Sequence, residues 1–349
     1  MKIAISTVQV PFIWGGAEFL AENLKVALEK AGHEAAIVTM PFKWYPHEKI
    51  TEHILAARLL DLSESCGNKV DLCIGLKFPA YYIQNPNKVM WILHQHRQAY
   101  ELCDTKYSDL NLSQTGLEVK RAIINADNTY IREARKVTTI SKNVSNRLEK
   151  FNNINSIPLY HPCPGYENLH CEDYEDYILF PSRLTDIKRQ HLAIEAMRYV
   201  KSDIKLYIVG SADMSTYKDE LEKLVMKYKL QTKVKFFNFV SQKEKYKLFA
   251  KARGVIFIPY DEDYGYITME TMYSKKPLIT CTDSGGPSEF IDNEVSGMIV
   301  EPKAIKLAEQ IDRLGMSSSL AKMMGESAFK KIQNMNISWE NVVKELTTV

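Results

Sequence analysis

Glu262 and Glu270 stand with seven residues between them in the run Pro259-Tyr260-Asp261-Glu262-Asp263-Tyr264-Gly265-Tyr266-Ile267-Thr268-Met269-Glu270. The run follows an apolar, strand-like stretch at 255–258, turns at Gly265 and enters what reads as a helix. Carboxylates accept hydrogen bonds from vicinal hydroxyls, and a helix N-terminus offers N–H groups and partial positive charge to an anion. One carboxylate after a strand and a second inside the next helix therefore suit a ligand with both diols and phosphate. A sugar nucleotide has both.

The surrounding chain supplies the elements such a site needs. Short apolar runs at 3–8, 35–39, 70–76, 89–93 and 137–140 alternate with amphipathic helical patterns at 17–31, 50–60 and 118–135. A second series has strands at 177–180, 205–209, 234–237, 254–258, 277–280 and 298–300, with helices at 191–200, 217–229 and 242–250. Alternating units of this kind predict an α/β fold of parallel sheets covered by helices on both faces. The series breaks once, at 157–165, where three prolines and a glycine read as a linker. We therefore expect two doubly wound domains facing a central cleft: 1–160, 161–334, and a terminal helical segment, 335–349, packing back on the first domain.

Ligands of open α/β sheets bind beyond the carboxyl ends of the strands, and the polar residues of interest fall there. After the first strand come Gly15-Gly16-Ala17-Glu18, which open a helix and let a ligand approach the backbone. Trp91-Ile92-Leu93-His94-Gln95-His96-Arg97 closes another strand. His94 and His96 point to one side of an extended chain, as metal ligands can, but no third ligand stands at diagnostic spacing. Ser182-Arg183 and Lys188 follow the first strand of the second series, where guanidinium and ammonium suit phosphate oxygens. Gly285-Gly286 with Glu289 forms a further glycine turn after a strand. The dinucleotide fingerprint and the Walker loop are both missing, which disfavours dehydrogenase and NTPase chemistry.

Bulk properties narrow the classes further. The 349 residues carry a net charge of +2, with 45% hydrophobic and 25% charged residues, so nothing global points to nucleic acid. Six scattered cysteines without CxxC spacing suit reduced thiols. With no signal-peptide pattern and no apolar run of about 20 residues, the expected location is cytoplasmic, and any membrane contact is peripheral, at the inner face.

These motifs, in this order, resemble glycosyltransferase family 4, the retaining sugar-nucleotide enzymes of the GT-B fold. The resemblance rests on Gly15-Gly16-Ala17-Glu18, His94, Ser182-Arg183 with Lys188, the Glu262/Glu270 pair, and Gly285-Gly286 with Glu289. It implies that Arg183 and Lys188 hold the donor diphosphate, aided by backbone amides around Tyr266, Ile267 and Thr268. By the same resemblance Glu270 takes the ribose hydroxyls, Glu262 and His94 lie beside the transferred sugar, and Gly15 and Gly16 admit phosphate and acceptor. The base is expected near the loop after 234–237, at Val240. Asp261-Glu262-Asp263-Tyr264-Gly265 and Glu270-Thr271 depart from the common family pattern but keep both glutamates.

The implied reaction moves a hexose-type sugar from a UDP- or GDP-sugar to an acceptor hydroxyl with retention, by a front-face route that needs no carboxylate nucleophile. No cofactor and no obligatory metal are expected, because cations at the diphosphate can replace one. The acceptor class (glycan, lipid-linked or protein) stays open. Two rivals share the architecture: a sugar-nucleotide 2-epimerase and a non-catalytic sugar-nucleotide-binding subunit of a glycosylation complex.

Overall fold

The computed structural model describes residues 1–212, 215–238 and 240–348. The chain divides into two units, Met1–His161 with Ser338–Val349, and Pro162–Ile337.

The first unit is built on a parallel six-stranded sheet. Its strands are β1 (Lys2–Gln9), β2 (Glu34–Pro41), β3 (Leu72–Gly75), β4 (Lys88–Ile92), β5 (Lys136–Thr139) and β6 (Ile157–Pro158), in the order β2-β1-β3-β4-β5-β6. Every residue of β3 and β4 is buried, as expected of central strands covered on both faces. Helices α1 (Gly16–Lys30), α2 (Glu48–Leu59), α3 (Gln114–Tyr130) and α4 (Lys142–Asn152) provide the cover.

Two sequence expectations are corrected here. Residues 157 and 158 read as linker, yet Ile157 and Pro158 pair with Thr138 and Thr139 as an edge strand. An edge strand needs its amides on one side only, so Pro158 is tolerated. The third helix starts at Gln114 rather than 118, because the Ser113 hydroxyl caps it by accepting from the Gly116 amide at 3.0 Å. A Cβ at Gly116 would come within 2.3 Å of the Leu110 carbonyl oxygen, which ties this residue to glycine.

The second unit repeats the plan. Strands β7 (Tyr177–Pro181), β8 (Lys205–Val209), β9 (Val234–Phe237), β10 (Gly254–Ile256), β11 (Leu278–Cys281) and β12 (Gly297–Val300) form a parallel sheet in the order β9-β8-β7-β10-β11-β12. The order reverses between β7 and β10, the kind of position where open α/β sheets hold ligands. Helices α5 (Gln190–Met197), α6 (Ser215–Lys227), α7 (Gln242–Lys251), α8 (Tyr266–Tyr273), α9 (Gly286–Glu289), α10 (Ala304–Met316) and α11 (Ser318–Asn334) complete it.

The last helix, α12 (Trp339–Thr347), belongs to the first unit. Val342, Val343 and Leu346 are buried, and the Trp339 ring meets Trp91 edge-on at 6.2 Å and stacks on His161 at 5.8 Å. Lys136 on β5 reaches the Glu345 carboxylate at 2.8 Å. Among the described residues no helix is long and apolar enough to cross a membrane.

Candidate active site

In the second unit, three loops at the carboxyl ends of β7, β10 and β11 are laced together by backbone hydrogen bonds. The Tyr260 amide donates to Ile187 O at 2.8 Å, that of Asp261 to Asp283 O at 2.8 Å, and that of Glu262 to Ser284 O at 2.9 Å; Gly286 returns a bond to Glu262 O at 2.8 Å. A Cβ on Gly286 would sit 2.8 Å from the carbonyl oxygens of Asp263 and Tyr264, so this junction closes only around glycine. Arg189 fastens the same loops from below: it grips Asp283 with two bonds of 2.7 and 2.8 Å and donates to the carbonyls of Ile258 and Pro259. Neither Arg189 nor Asp283 is legible as a positioning pair from sequence, since they lie far apart in the chain.

That lacing brings Lys188 and Glu262 into direct contact as an ion pair. Lys188 Nζ also lies 5.4 Å from the centre of the Phe257 ring. Arg183 is exposed in the same loop as Lys188, its backbone carbonyl held by the Ser182 hydroxyl at 2.9 Å and the Gln190 amide at 2.8 Å. The predicted cationic pair and the first glutamate thus come from adjoining loops of one sheet edge.

Helix α8 is preceded by Gly265, in the left-handed region at φ 86°, which as the cap residue supplies no side-chain acceptor to the first turn. Of the three amides expected to meet phosphate, that of Thr268 donates to Gly265 O at 2.9 Å. Glu270 is 4% exposed. Its Oε1 accepts from Lys245 Nζ at 2.6 Å, whereas its Oε2 and the Thr268 hydroxyl are buried with no hydrogen-bond partner among the described residues. Buried polar atoms left unsatisfied cost about 1–3 kcal/mol each, and the Glu270 oxygen marks a place where a polar ligand would be received. Lys245 was missed by sequence reasoning: α7 carries four lysines (Lys243, Lys245, Lys247 and Lys251), and nothing in their spacing singles one out.

Val240 is half-buried just before the Ser241 cap of α7. Its neighbour Phe239, in the loop expected to meet the base, lies outside the described residues. Glu289 closes the four-residue helix α9.

The first unit carries the remaining predicted residues. Gly15 has an extended backbone (φ −154°), and a Cβ there would find only the Glu18 carboxylate, at an ordinary 3.6 Å. The fold itself therefore does not demand glycine at position 15. Glu18 folds back to accept from the Gly15 amide at 2.8 Å and faces Lys77 at 3.8 Å, which gives it a capping role. His94 follows β4, its Nδ1 2.6 Å from Gln95 O. It lines an open pocket of about 230 Å³ together with Phe42, Trp44, Lys77, Phe78, His96 and Arg97.

His96, still extended in its backbone, precedes a short 3-10 turn at Arg97–Ala99. Among the described residues no group of three or more His, Cys, Asp and Glu side chains is placed to hold a metal ion. Burial pulls the His96 pKa down to about 4, and the neighbouring His94 imidazole acts in the same direction. Beneath the pocket lies a buried anchor, Asp127 on α3. Its Oδ1 accepts from the hydroxyls of Tyr81 and Tyr82 at 2.8 and 2.6 Å, and its Oδ2 from Tyr100 and Gln95 at 2.6 and 2.7 Å. The loop bearing His94 and His96 is pinned through Gln95.

Residues 169–331 match the family Glycosyl transferases group 1. This segment spans the loops carrying Arg183, Lys188, Glu262 and Glu270. Over its whole length the chain is 25% identical to an uncharacterized glycosyltransferase of Methanocaldococcus jannaschii, covering 97% of that protein. It is 31% identical to human alpha-1,3/1,6-mannosyltransferase over 151 residues, 40% of this chain and 36% of the relative. Its structure is similar to that of Anabaena HepE, solved in complex with UDP and glucose, with a TM-score of 0.70 at 18% identity over 99% of this chain and 98% of that one. The fold is the GT-B fold, with two Rossmann-like units.

Proposed function

We propose that this protein is a retaining glycosyltransferase of family 4 that moves a hexose-type sugar from a UDP- or GDP-sugar to an acceptor hydroxyl. The observation that carries the proposal is the α8 turn: an N-terminus without a side-chain cap, followed by the buried, unpartnered Glu270 Oε2. A nucleotide's ribose diol can donate to that oxygen while its phosphates approach the amides of the first turn. The group 1 match over the same segment and the UDP bound by HepE support the donor class.

The chemistry is electrostatic. Glycosyl transfer leaves charge on the departing diphosphate, and Arg183 and Lys188 would neutralise it without an obligatory metal. Lys188 is paired with Glu262, so a diphosphate competes with that carboxylate for the ammonium. Once Lys188 turns to phosphate, Glu262 is released to accept from sugar hydroxyls. The front-face route, in which a phosphate oxygen takes the acceptor proton, asks for no carboxylate nucleophile. His94 and Gly16, in the first unit, would meet sugar and acceptor. A location in the cytoplasm, at the inner face of a membrane where one is touched, accompanies this reading.

A panel of UDP- and GDP-sugars, followed by thermal unfolding and by slow donor hydrolysis, tests the proposal. One donor at about 100 times its Kd should stabilise by about 2.7 kcal/mol. No response to any donor overturns it. Conversion of the donor to its 2-epimer without acceptor, seen by NMR, would reassign the chain to the epimerases.

A further inference from the structure

We propose that Cys103 and Lys120 are a peroxide-responsive cross-linking site, in which one oxygen atom joins the cysteine sulfur to the lysine nitrogen as an N–O–S bridge. The bridge staples the segment between β4 and α3 onto α3. It uses none of the residues assigned to the donor and does not depend on the transferase proposal.

Lys120 Nζ lies 2.8 Å from Cys103 Sγ. Sulfur is larger than oxygen, and even N–H···O bonds centre on about 2.9–3.0 Å, so this approach is closer than an ordinary N–H···S contact. It is too long for a direct N–S bond and close to the span of two single bonds meeting at one oxygen. The surroundings hold the pair in register. The Asn111 side-chain amide donates to the Cys103 carbonyl at 3.2 Å, and its oxygen lies 3.5 Å from Lys120 Nζ. The Leu110 backbone lies so close to Gly116 that α3 has no room for a side chain there, which keeps the segment seated on the helix. Cys103 is buried and Lys120 half-buried, so the oxidant that suits the site is a small neutral one.

The other thiols each lack a requirement. Burial pushes the pKa of Cys73 up to about 11 and that of Cys281 up to about 12, and raises that of Cys163, which withholds the reactive thiolate. Cys66 is exposed, with no amine hydrogen-bonded to its sulfur among the described residues. Cys171 has Lys276 at 3.2 Å, but that amine also donates to the Asp173 carbonyl and sits 3.7 Å from the centre of the Tyr174 ring. Lys120 is less committed: its polar contacts among the described residues are Cys103 and, at the limit of a hydrogen bond, Asn111.

The chemistry closes with two equivalents of hydrogen peroxide. The first puts an oxygen on sulfur, giving the sulfenic acid and releasing water. The second oxidises the amine: the sulfenic O–H and one N–H bond break, an O–N bond forms, and the peroxide leaves as two waters. Sulfur and nitrogen each give up two electrons, and the extra proton of the ammonium passes to solvent. Two dithiols reverse the four-electron oxidation, with the bridging oxygen leaving as water.

The test treats the full-length protein with hydrogen peroxide, quenches with catalase and maps unreduced peptides by mass spectrometry. Peptides carrying Cys103 and Lys120 should appear joined, heavier than their sum by one oxygen less two hydrogens, and should separate on adding dithiothreitol. Cys103→Ser and Lys120→Arg, the second of which keeps the charge, should each abolish the joined species. In Lys120→Arg the oxidation should stop at a sulfenic acid on Cys103 that dimedone traps. Both variants are checked for an unchanged unfolding temperature before oxidation, and Lys120→Gln replaces Lys120→Arg if the latter fails that check. Four results overturn the inference: oxidised Cys103 without a joined peptide, a pair lighter by two hydrogens from a direct N–S bond, a joined species that persists in the lysine variant, or oxidation confined to the other cysteines.

Discussion

Lys245 Nζ lies 2.6 Å from Glu270 Oε1, joining α7 to α8 across the mouth of the proposed ribose site. One carboxylate oxygen is thereby committed within the protein and the other is left buried without a partner. Glu270→Gln keeps the shape and removes the charge that a diol would donate to. Donor KM is expected to rise by about one to two orders of magnitude, corresponding to about 1.5–3 kcal/mol for hydrogen bonds to a charged group, as measured by donor hydrolysis.

Removal of the lysine alone has a different signature. Lys245→Met leaves Glu270 buried without its cation and should lower unfolding free energy by about 3 kcal/mol. The double variant with Glu270→Gln should recover most of this in a denaturant titration while remaining poor in donor affinity. Equal stability of the single and double variants would show that the two residues are not coupled.

Arg183→Ala and Lys188→Ala should each reduce turnover about a hundredfold, near 3 kcal/mol of lost transition-state stabilisation. For Lys188 the loss should appear in kcat and in donor KM together, because the diphosphate loses its ammonium in the bound ground state as well as in the transition state. Turnover near wild type in both variants would remove these cations from the mechanism. Chelator should leave the rate of the unmodified enzyme unchanged.

His96 gives a pH dependence with a defined sign. Its folded-state pKa is depressed to about 4 from 6.5, so the unfolded chain binds the proton first as pH falls. The contribution to stability is fully present above about 6.5 and is lost progressively as pH drops towards 4, by up to about 3 kcal/mol. His96→Gln should flatten the unfolding temperature across that window. A pH profile unchanged by the substitution would assign the acid sensitivity elsewhere.

Asp127→Ala removes the common acceptor of Tyr81, Tyr82, Tyr100 and Gln95. Four buried donors lose their partner, so destabilisation of at least about 3 kcal/mol is expected by chemical denaturation. Tyr82→Phe, which leaves the other three bonds in place, should cost about 1 kcal/mol.

Chemistry-bearing residues next to strand ends were legible because two regularities coincide there: strand periodicity fixes the sheet edge, and polar residues just beyond an apolar run have nowhere else to go. Lys188 and Glu262, 74 positions apart, meet for that reason alone. Lys245 escaped because helix α7 exposes several lysines and only its packing against α8 distinguishes one. Asp127 escaped likewise: a lone acid in a polar helical stretch reads as solvated, and its burial depends on three tyrosines from distant loops. The edge strand at Ile157–Pro158 shows the limit of breaker residues as signals, since proline excludes a central strand but not an edge.

The first unit is discontinuous in sequence, resuming at Ser338 after the whole of the second. During synthesis, residues 1–161 leave the ribosome before the second unit, yet Leu346, Val342 and the Trp339 contact with Trp91 come only after it. Domains usually complete themselves in order of emergence; here the order is inverted. The second unit can finish folding while the first still exposes the apolar surface that α12 will cover, and the first unit becomes complete only once α12 has emerged.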